Sequence, residues 1–525
     1  MRRFVSPFFV CTLGLVLAAG VVGLPAQRPS APTGVPIVEL SIADIQQGLR
    51  ARTFTCRALV EAYLTRIDAH DKRGAGLNAL VLVNPRVRAE ADALDARLAT
   101  GDAVGPLHCV PLIVKDNFET QGLQTTAGSL ALEGFVPDRD AFQVARVRAA
   151  GALVLAKSNM AEWAFTPYET VSSILPGYTR NPYDTARVTA GSSGGTAAAV
   201  AASFGAAGLG SDTGNSIRGP AAHQALVGIR STMGLTSRGG VVPLNLLADI
   251  TGPMARTVAD AAAIFQVIVG EDPEDPVTAA ARGRTIPTYA EALRADGLKG
   301  ARIGVLRQAY ERGAGGGVDP EVATVFAAAL KALEAAGATI VDPAAIDLSS
   351  VRRGQGAGSC GGFGWDMAQW FARHQGKAPV SSLADVIRSR RFHPTVQARI
   401  QSGVDSTPAA PDSPECKAEA DYRAAYGRTV TARMDDLQLD AYVYPTWSFP
   451  PRLIGDLNTP HGDNSQVFSP TSGFPSISVP MGYTRDNRLP AGITFFGRAW
   501  DEARLLRLAY AYEQATKHRR APDLR

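Results

Sequence analysis

Apolar runs of strand length alternate with stretches of helical period along most of this chain, and that alternation sets the expected architecture. Residues 41–49 and 55–69 carry apolar positions at helical spacing, with Thr55 placed to cap the second helix. A charged surface helix is expected over 89–99. From Val110 onward VPLIV, AFQVARVRAAG and ALVLAK follow one another as strand, helix and strand. Residues 270–300 are expected to form a surface excursion. A strand then resumes at 301–306, followed by an amphipathic helix over 321–336. The end of the chain returns to strands at 440–447, 476–483 and 491–497, with a closing helix over 502–516. Between them, residues 350–430 break the pattern with GQGAGSCGGFGW, a basic SRRFHP and a proline-rich stretch. They are expected to be largely helical and to shape access to whatever site the chain carries. No internal repeat is visible.

Residues 188–220 carry the densest chemistry. GSSGG (191–195) and DTGNS (212–216) are two serine-bearing, glycine-containing turns, separated by an alanine-rich segment expected to be a buried helix. Gly191, Gly194, Gly195 and Gly214 are expected to reach positive φ and to let the backbone approach a ligand closely. Successive backbone N–H groups in such turns make a nest for a developing anion. Upstream, Lys115 ends the apolar run 110–114, a place where lysine is unusual unless paired or functional. Asp116 follows at once, but adjacent strand residues point to opposite faces.

Composition narrows the classes. An apolar content of 46% with 19% charged residues reads as globular. A net charge of +4 spread over 525 residues gives no nucleic-acid surface. Arg2 and Arg3 precede a mostly apolar run, 4–24, and PAQRPSAPTG follows. Residues 1–26 therefore read as a secretory signal peptide, or as a membrane anchor if uncleaved, with 27–39 as a linker. The expected location is secreted or periplasmic. Cys56, Cys109, Cys360 and Cys416 have neither zinc nor redox spacing. They are expected to be mostly buried free thiols, although export permits one or two disulfides. No metal motif is present, and no metal or cofactor is expected.

GSSGG, DTGNSIRGP and VPLIVKDN together resemble the amidase signature family. TTAGS (125–129), NMAEWAF (159–165), NPYD (181–184), GPMARTVAD (252–260) and PSISVPMG (475–482) extend the match from about residue 40 to the C-terminus. The resemblance implies a single α/β domain, 40–525, with a mixed, twisted central sheet covered by helices on both faces. It also implies a Ser–cis-Ser–Lys triad for amide hydrolysis through an acyl-enzyme. Ser216 would be the nucleophile, Lys115 the base and Ser192 the relay, with an unusual cis peptide at Ser192. The backbone N–H groups of Thr213, Gly214, Asn215 and Ser216 would form the oxyanion hole. Ser193, Gly191, Asp212 and Arg218 would support them, with Ser129 as a further support or substrate-loop residue. Trp163, Phe165, Tyr168 and Trp447 are candidates for an apolar pocket wall.

Three positions depart from the family pattern. Asn215, Cys109 and Ala190 stand where glycine is usual. Asn tolerates left-handed geometry, and Asn215 is expected to keep the turn and add a contact to substrate. The expected substrates are small or aryl amides, with esters or carbamates as further ones and peptide C-terminal amides as the alternative. A glutamine-hydrolysing component of a tRNA-dependent amidotransferase shares this core, but a signal peptide argues against it. GSSGG also satisfies G-x-S-x-G, which would make Ser193 a hydrolase elbow serine, but no downstream histidine supports that. His223 is expected to be a helix or packing residue. The rival from another class is a secreted binding protein on an inactive scaffold.

Overall fold

A computed structural model describes residues 34–101, 104–311 and 317–524, together with Met1 and Val5. The expected signal peptide lies outside the described residues. In chain order the strands are β1 (Leu80–Val83), β2 (Pro111–Lys115), β3 (Leu153–Ser158), β4 (Arg180–Asn181), β5 (Asp184–Val188), β6 (Ala207–Asp212) and β7 (Val227–Arg230). They continue with β8 (Ile250–Ala255), β9 (Arg302–Val305), β10 (Thr339–Val341), β11 (Ala441–Pro445), β12 (Ser476–Thr484) and β13 (Leu489–Phe496). Eleven of them form one sheet in the order β1-β3-β2-β6-β8-β7-β12-β13-β11-β9-β10, and β4 and β5 make a small separate ribbon.

The sheet is mixed. β3, β2 and β6 run parallel, as do β11, β9 and β10, whereas β6, β8, β7, β12 and β13 alternate in direction. Its central strands are buried along their whole length, as the near-continuous apolar runs require. The expected helices form at Ile42–Arg50, Cys56–His70, Val87–Ala99, Gly194–Ala201, Pro320–Ala335 and Glu502–Thr516. Thr55 caps the second through a bond from the Ala58 N–H, and Asp319 caps the fifth. One apolar core runs through sheet and helices from Ile37 to Leu524. The chain is one α/β domain.

Residues 350–430 are helical at Phe363–Arg373, Leu383–Ser389, Gln397–Asp405 and Pro414–Asp436. A second, smaller apolar cluster docks them. Met367, Trp370, Phe371 and Ile400 pack there against Leu132, Phe135, Trp163 and Phe165. Glu119, just beyond β2, accepts a bond from Trp370 Nε1 at 3.0 Å and faces His374 Nε2 at 3.0 Å. The helical insertion is therefore fastened directly to the loops that follow β2.

The expectation of free thiols is corrected. Cys56 pairs with Cys109 and Cys360 with Cys416. Separations of 53 and 56 residues hid both pairings, which exist only because the fold brings the ends together. The first ties a helix start to the turn ahead of β2, and the second ties the glycine-rich stretch to the long helix Pro414–Asp436. Closing a loop of this length stabilises by about 2–4 kcal/mol. Cys360→Ser should therefore lower the thermal midpoint by several degrees, and an unchanged melt would show that the bridge contributes nothing.

Candidate active site

Lys115 is the last residue of β2 and is fully buried. Its Nζ donates to Ser192 Oγ at 2.8 Å, to Ser211 Oγ at 2.8 Å and to the Ser211 carbonyl at 3.3 Å. Burial lowers its pKa to about 7, against the opposing pull of the Asp249 and Asp212 carboxylates. Asp116 turns to the other face, as strand alternation requires. There it meets Lys157 at 3.4 Å and accepts from the Thr126 N–H at 3.0 Å, so it leaves Lys115 without an ion partner next door.

Ser192 follows a cis Gly191–Ser192 peptide. The glycines of GSSGG do not use positive φ, contrary to expectation, and neither does Gly214. They are there because nothing larger fits. A Cβ on Gly191 would run into the Glu169 carbonyl, one on Gly194 into the Thr170 and Thr189 hydroxyls, and one on Gly195 into the Asn159 carbonyl. The left-handed positions are instead Ala190 and Cys109, both at φ +60°, two of the three places where the usual glycine is replaced. Asn215 is not left-handed either, so its tolerance of that geometry is not what keeps the turn.

The second serine turn leaves the end of β6. Ser193 N–H donates to the Ser216 carbonyl at 3.3 Å, which laces the two turns together. Ser193 Oγ is buried and donates to the Ser211 carbonyl at 3.2 Å. Asp212 is fully buried between two guanidinium groups, with Arg218 Nε at 3.1 Å and Arg230 Nη1 at 2.9 Å. Burial alone would raise its carboxyl, but Arg218 and Arg230 hold it far below the usual range. Arg218 also donates to the Gly214 carbonyl at 2.6 Å and the Ser465 carbonyl at 3.2 Å, which clamps the turn. Thr213 donates its hydroxyl to Asp249. The buried Asn215 side chain fills the space over Gly219, where a Cβ would run into it.

Ser216 opens onto a cavity of about 410 Å³ walled by Phe165, Tyr168, Leu244, Arg399 and Gln466. A neighbouring lobe of about 330 Å³ shares Phe165, Leu244 and Arg399 and runs to Gly361–Gly364 and Ser402. Phe165 and Tyr168 are thus wall residues, whereas Trp163 and Trp447 pack inside. Ser129 is buried and reaches the Arg391 carbonyl at 3.4 Å, joining the loop after β2 to the helical insertion. His223 stacks on Trp447 with centroids 4.5 Å apart, and burial lowers it to about 3, which fits a packing role.

Four polar residues of the site escaped the sequence reading: Ser211, Asn117, Arg230 and Asp249. Asn117 Nδ2 donates to Ser211 Oγ at 2.9 Å and so orients the hydroxyl that Lys115 also reaches. Ser211 adjoins Asp212 and Asn117 lies two residues past Lys115. That proximity to the motifs was the one signal the sequence held.

The Amidase family profile matches residues 58–506. The chain belongs to the amidase family. Native peptide amidase from Stenotrophomonas maltophilia superposes with a TM-score of 0.83 at 37% identity, covering 93% of this chain and 99% of that one. An amidase family protein from Bacillus anthracis gives 0.81 at 30% identity, covering 93% of each. A glutamyl-tRNA(Gln) amidotransferase component from Thermosynechococcus vestitus is 36% identical over 92% of this chain and 99% of the relative. This amidase is a hydrolase of amide C–N bonds.

Proposed function

We propose that this amidase is an exported enzyme that cleaves carboxamides with an extended, peptide-like acyl part, and that Ser216 is its nucleophile. The observation that carries the chemistry is Lys115 Nζ at 2.8 Å from Ser192 Oγ, with the Ser216 turn bonded to the same loop. A neutral Lys115 takes the Ser192 proton as Ser192 takes that of Ser216, whose oxygen attacks the carbonyl. The oxyanion rests on the N–H groups of residues 213–216. The relay then returns a proton to the leaving nitrogen, the C–N bond breaks, and water cleaves the ester by the reverse path. Asp212 holds Arg218 on the Gly214 carbonyl and so keeps the N–H groups of the turn facing the substrate.

The two-lobed cavity and the likeness to a peptide amidase favour a peptide C-terminal amide over a small amide. Two disulfides and the Arg2–Arg3 apolar leader support export. The amidotransferase components among its relatives favour a second reading, hydrolysis of glutamine within a larger complex. Ammonia release from glutamine, acetamide, benzamide and a blocked dipeptide amide separates these readings. The dipeptide amide should show the highest kcat/KM, and a preference for glutamine would favour the second reading.

The base must be neutral to act, so protonation of Lys115 removes activity. With its pKa at about 7, kcat/KM should fall about tenfold per pH unit below that value and level off above it. A profile flat from pH 5 to 9, a window chosen to span about two units on either side, would exclude Lys115 as the base.

A further inference from the structure

Asp249 lies in the bend that leads into β8, is 8% exposed and faces no cation within ion-pair distance among the described residues. Its two oxygens serve different parts of the site. One accepts the Thr213 hydroxyl, in the turn that carries Ser216. The other accepts the N–H groups of Leu244 and Asn245 at 2.9 and 3.0 Å. Leu244 walls both lobes of the cavity, and Asn245 walls the farther one. The next N–H along, that of Leu246, is held at 2.8 Å by Asp366 on the helix Phe363–Arg373. Arg230, the partner of Asp212, closes the bend from the other side by donating to the Ala248 carbonyl at 2.8 Å.

We propose that Asp249 is a positioning residue that locks the oxyanion turn and the substrate wall into one rigid unit, so that the width of the cavity and the aim of the Thr213–Ser216 N–H groups are set together. This rests on the reading of Ser216 as nucleophile. A buried carboxylate with no cation costs free energy that a packing role does not require, since an apolar residue would fill the space without it. What a two-ended polar side chain supplies here is a hydrogen bond on both sides at once, which neither an apolar residue nor Ser can make. Burial raises the Asp249 carboxyl, against the bonds from Thr213, Leu244 and Asn245 that favour its charged form, and when ionised it favours the protonated form of Lys115, as Asp212 does. The charged or titratable groups facing Asp249 are Lys115, Arg238 and Asp366, with Asp212 acting on the same lysine.

Three variants of the full chain test this: Asp249→Asn, Asp249→Ala and Thr213→Val. Each is assayed for kcat and KM on acetamide and on a blocked dipeptide amide, with a pH profile and the rate of Ser216 labelling by a fluorophosphonate. Asp249→Asn can turn its oxygen to the Leu244 and Asn245 N–H groups and donate to Thr213. It should keep KM and shift the acid limb of kcat/KM to lower pH, because Lys115 loses a carboxylate. Thr213→Val cuts only the turn side and should lower kcat about tenfold at unchanged KM. Asp249→Ala frees both sides and should lower kcat and labelling by about tenfold or more and raise KM for the dipeptide amide alone. Wild-type kinetics and pH profile in Asp249→Asn together with unchanged kcat in Thr213→Val would overturn the proposal, even if Asp249→Ala fails to fold. Activity that survives Ser216→Ala would instead defeat the underlying nucleophile assignment.

Discussion

Ser216→Ala should lower amide hydrolysis by about 10³-fold or more while the fold stays intact. The substitution removes one oxygen from a residue only 5% exposed and breaks none of the bonds that lace the two turns, which use backbone groups. Lys115→Ala should cost a similar factor, because a serine hydroxyl is inert at neutral pH without a base. Residues that act as one unit give non-additive losses, so the double variant should be little worse than either single one. The labelling reagent sharpens the outcome. The wild-type enzyme should be modified at Ser216, Ser216→Ala should not be modified, and Ser193→Ala should retain most activity because Ser193 Oγ is spent on the Ser211 carbonyl. Loss of activity in Ser193→Ala alone, with labelling at that residue in the wild type, would transfer the nucleophile's role to the neighbouring serine.

The second large effect is on stability. Asp212→Ala would leave Arg218 and Arg230, both of them fully enclosed, without their ion-pair partner. Breaking a buried ion pair in this way costs about 3–5 kcal/mol, a large share of what holds a domain together. Urea unfolding should show an unfolding free energy lower by that amount, and activity should vanish with the collapse of the turn clamped through the Gly214 carbonyl. Asp212→Asn keeps the shape and the bonds from the Ile217 and Arg218 N–H groups but loses the charge. It should fall between the two. A shift below about 1 kcal/mol for Asp212→Ala would mean that water or a rearranged side chain takes up both cations.

Much of this was legible in the residues. The apolar runs gave β2, β11 and β13, and the helical period over 502–516 matches the closing helix Glu502–Thr516 at both ends. GSSGG, DTGNS and the lysine after VPLIV led to one another because each is improbable in its place alone. The rest was hidden for physical reasons. Ser211, Asn117, Arg230 and Asp249 are polar residues of short apolar strands and their ends, and which polar group meets which is settled by strand order. β6 lies beside β2 in the sheet although 91 residues, 116–206, lie between the end of one and the start of the other. The cysteine pairs were invisible for the same reason. The role of the glycines was misread because positive φ and lack of room leave the same letter in the sequence, and only the neighbours tell them apart.

The floor of the site and its walls come from different kinds of chain. GSSGG is fixed by carbonyls and hydroxyls that leave no volume for a side chain, whereas the walls at Gly361–Gly364 and Arg399–Ser406 belong to an insertion held by its own apolar cluster and its own disulfide. Directed evolution on this scaffold should therefore be divided accordingly. Libraries at Arg399 and Ser402 would explore new selectivities at small cost in folded yield, whereas side chains placed at Gly191, Gly194 or Gly195, or at Gly364 or Gly403 in the insertion, would be spent on proteins that never reach the assay.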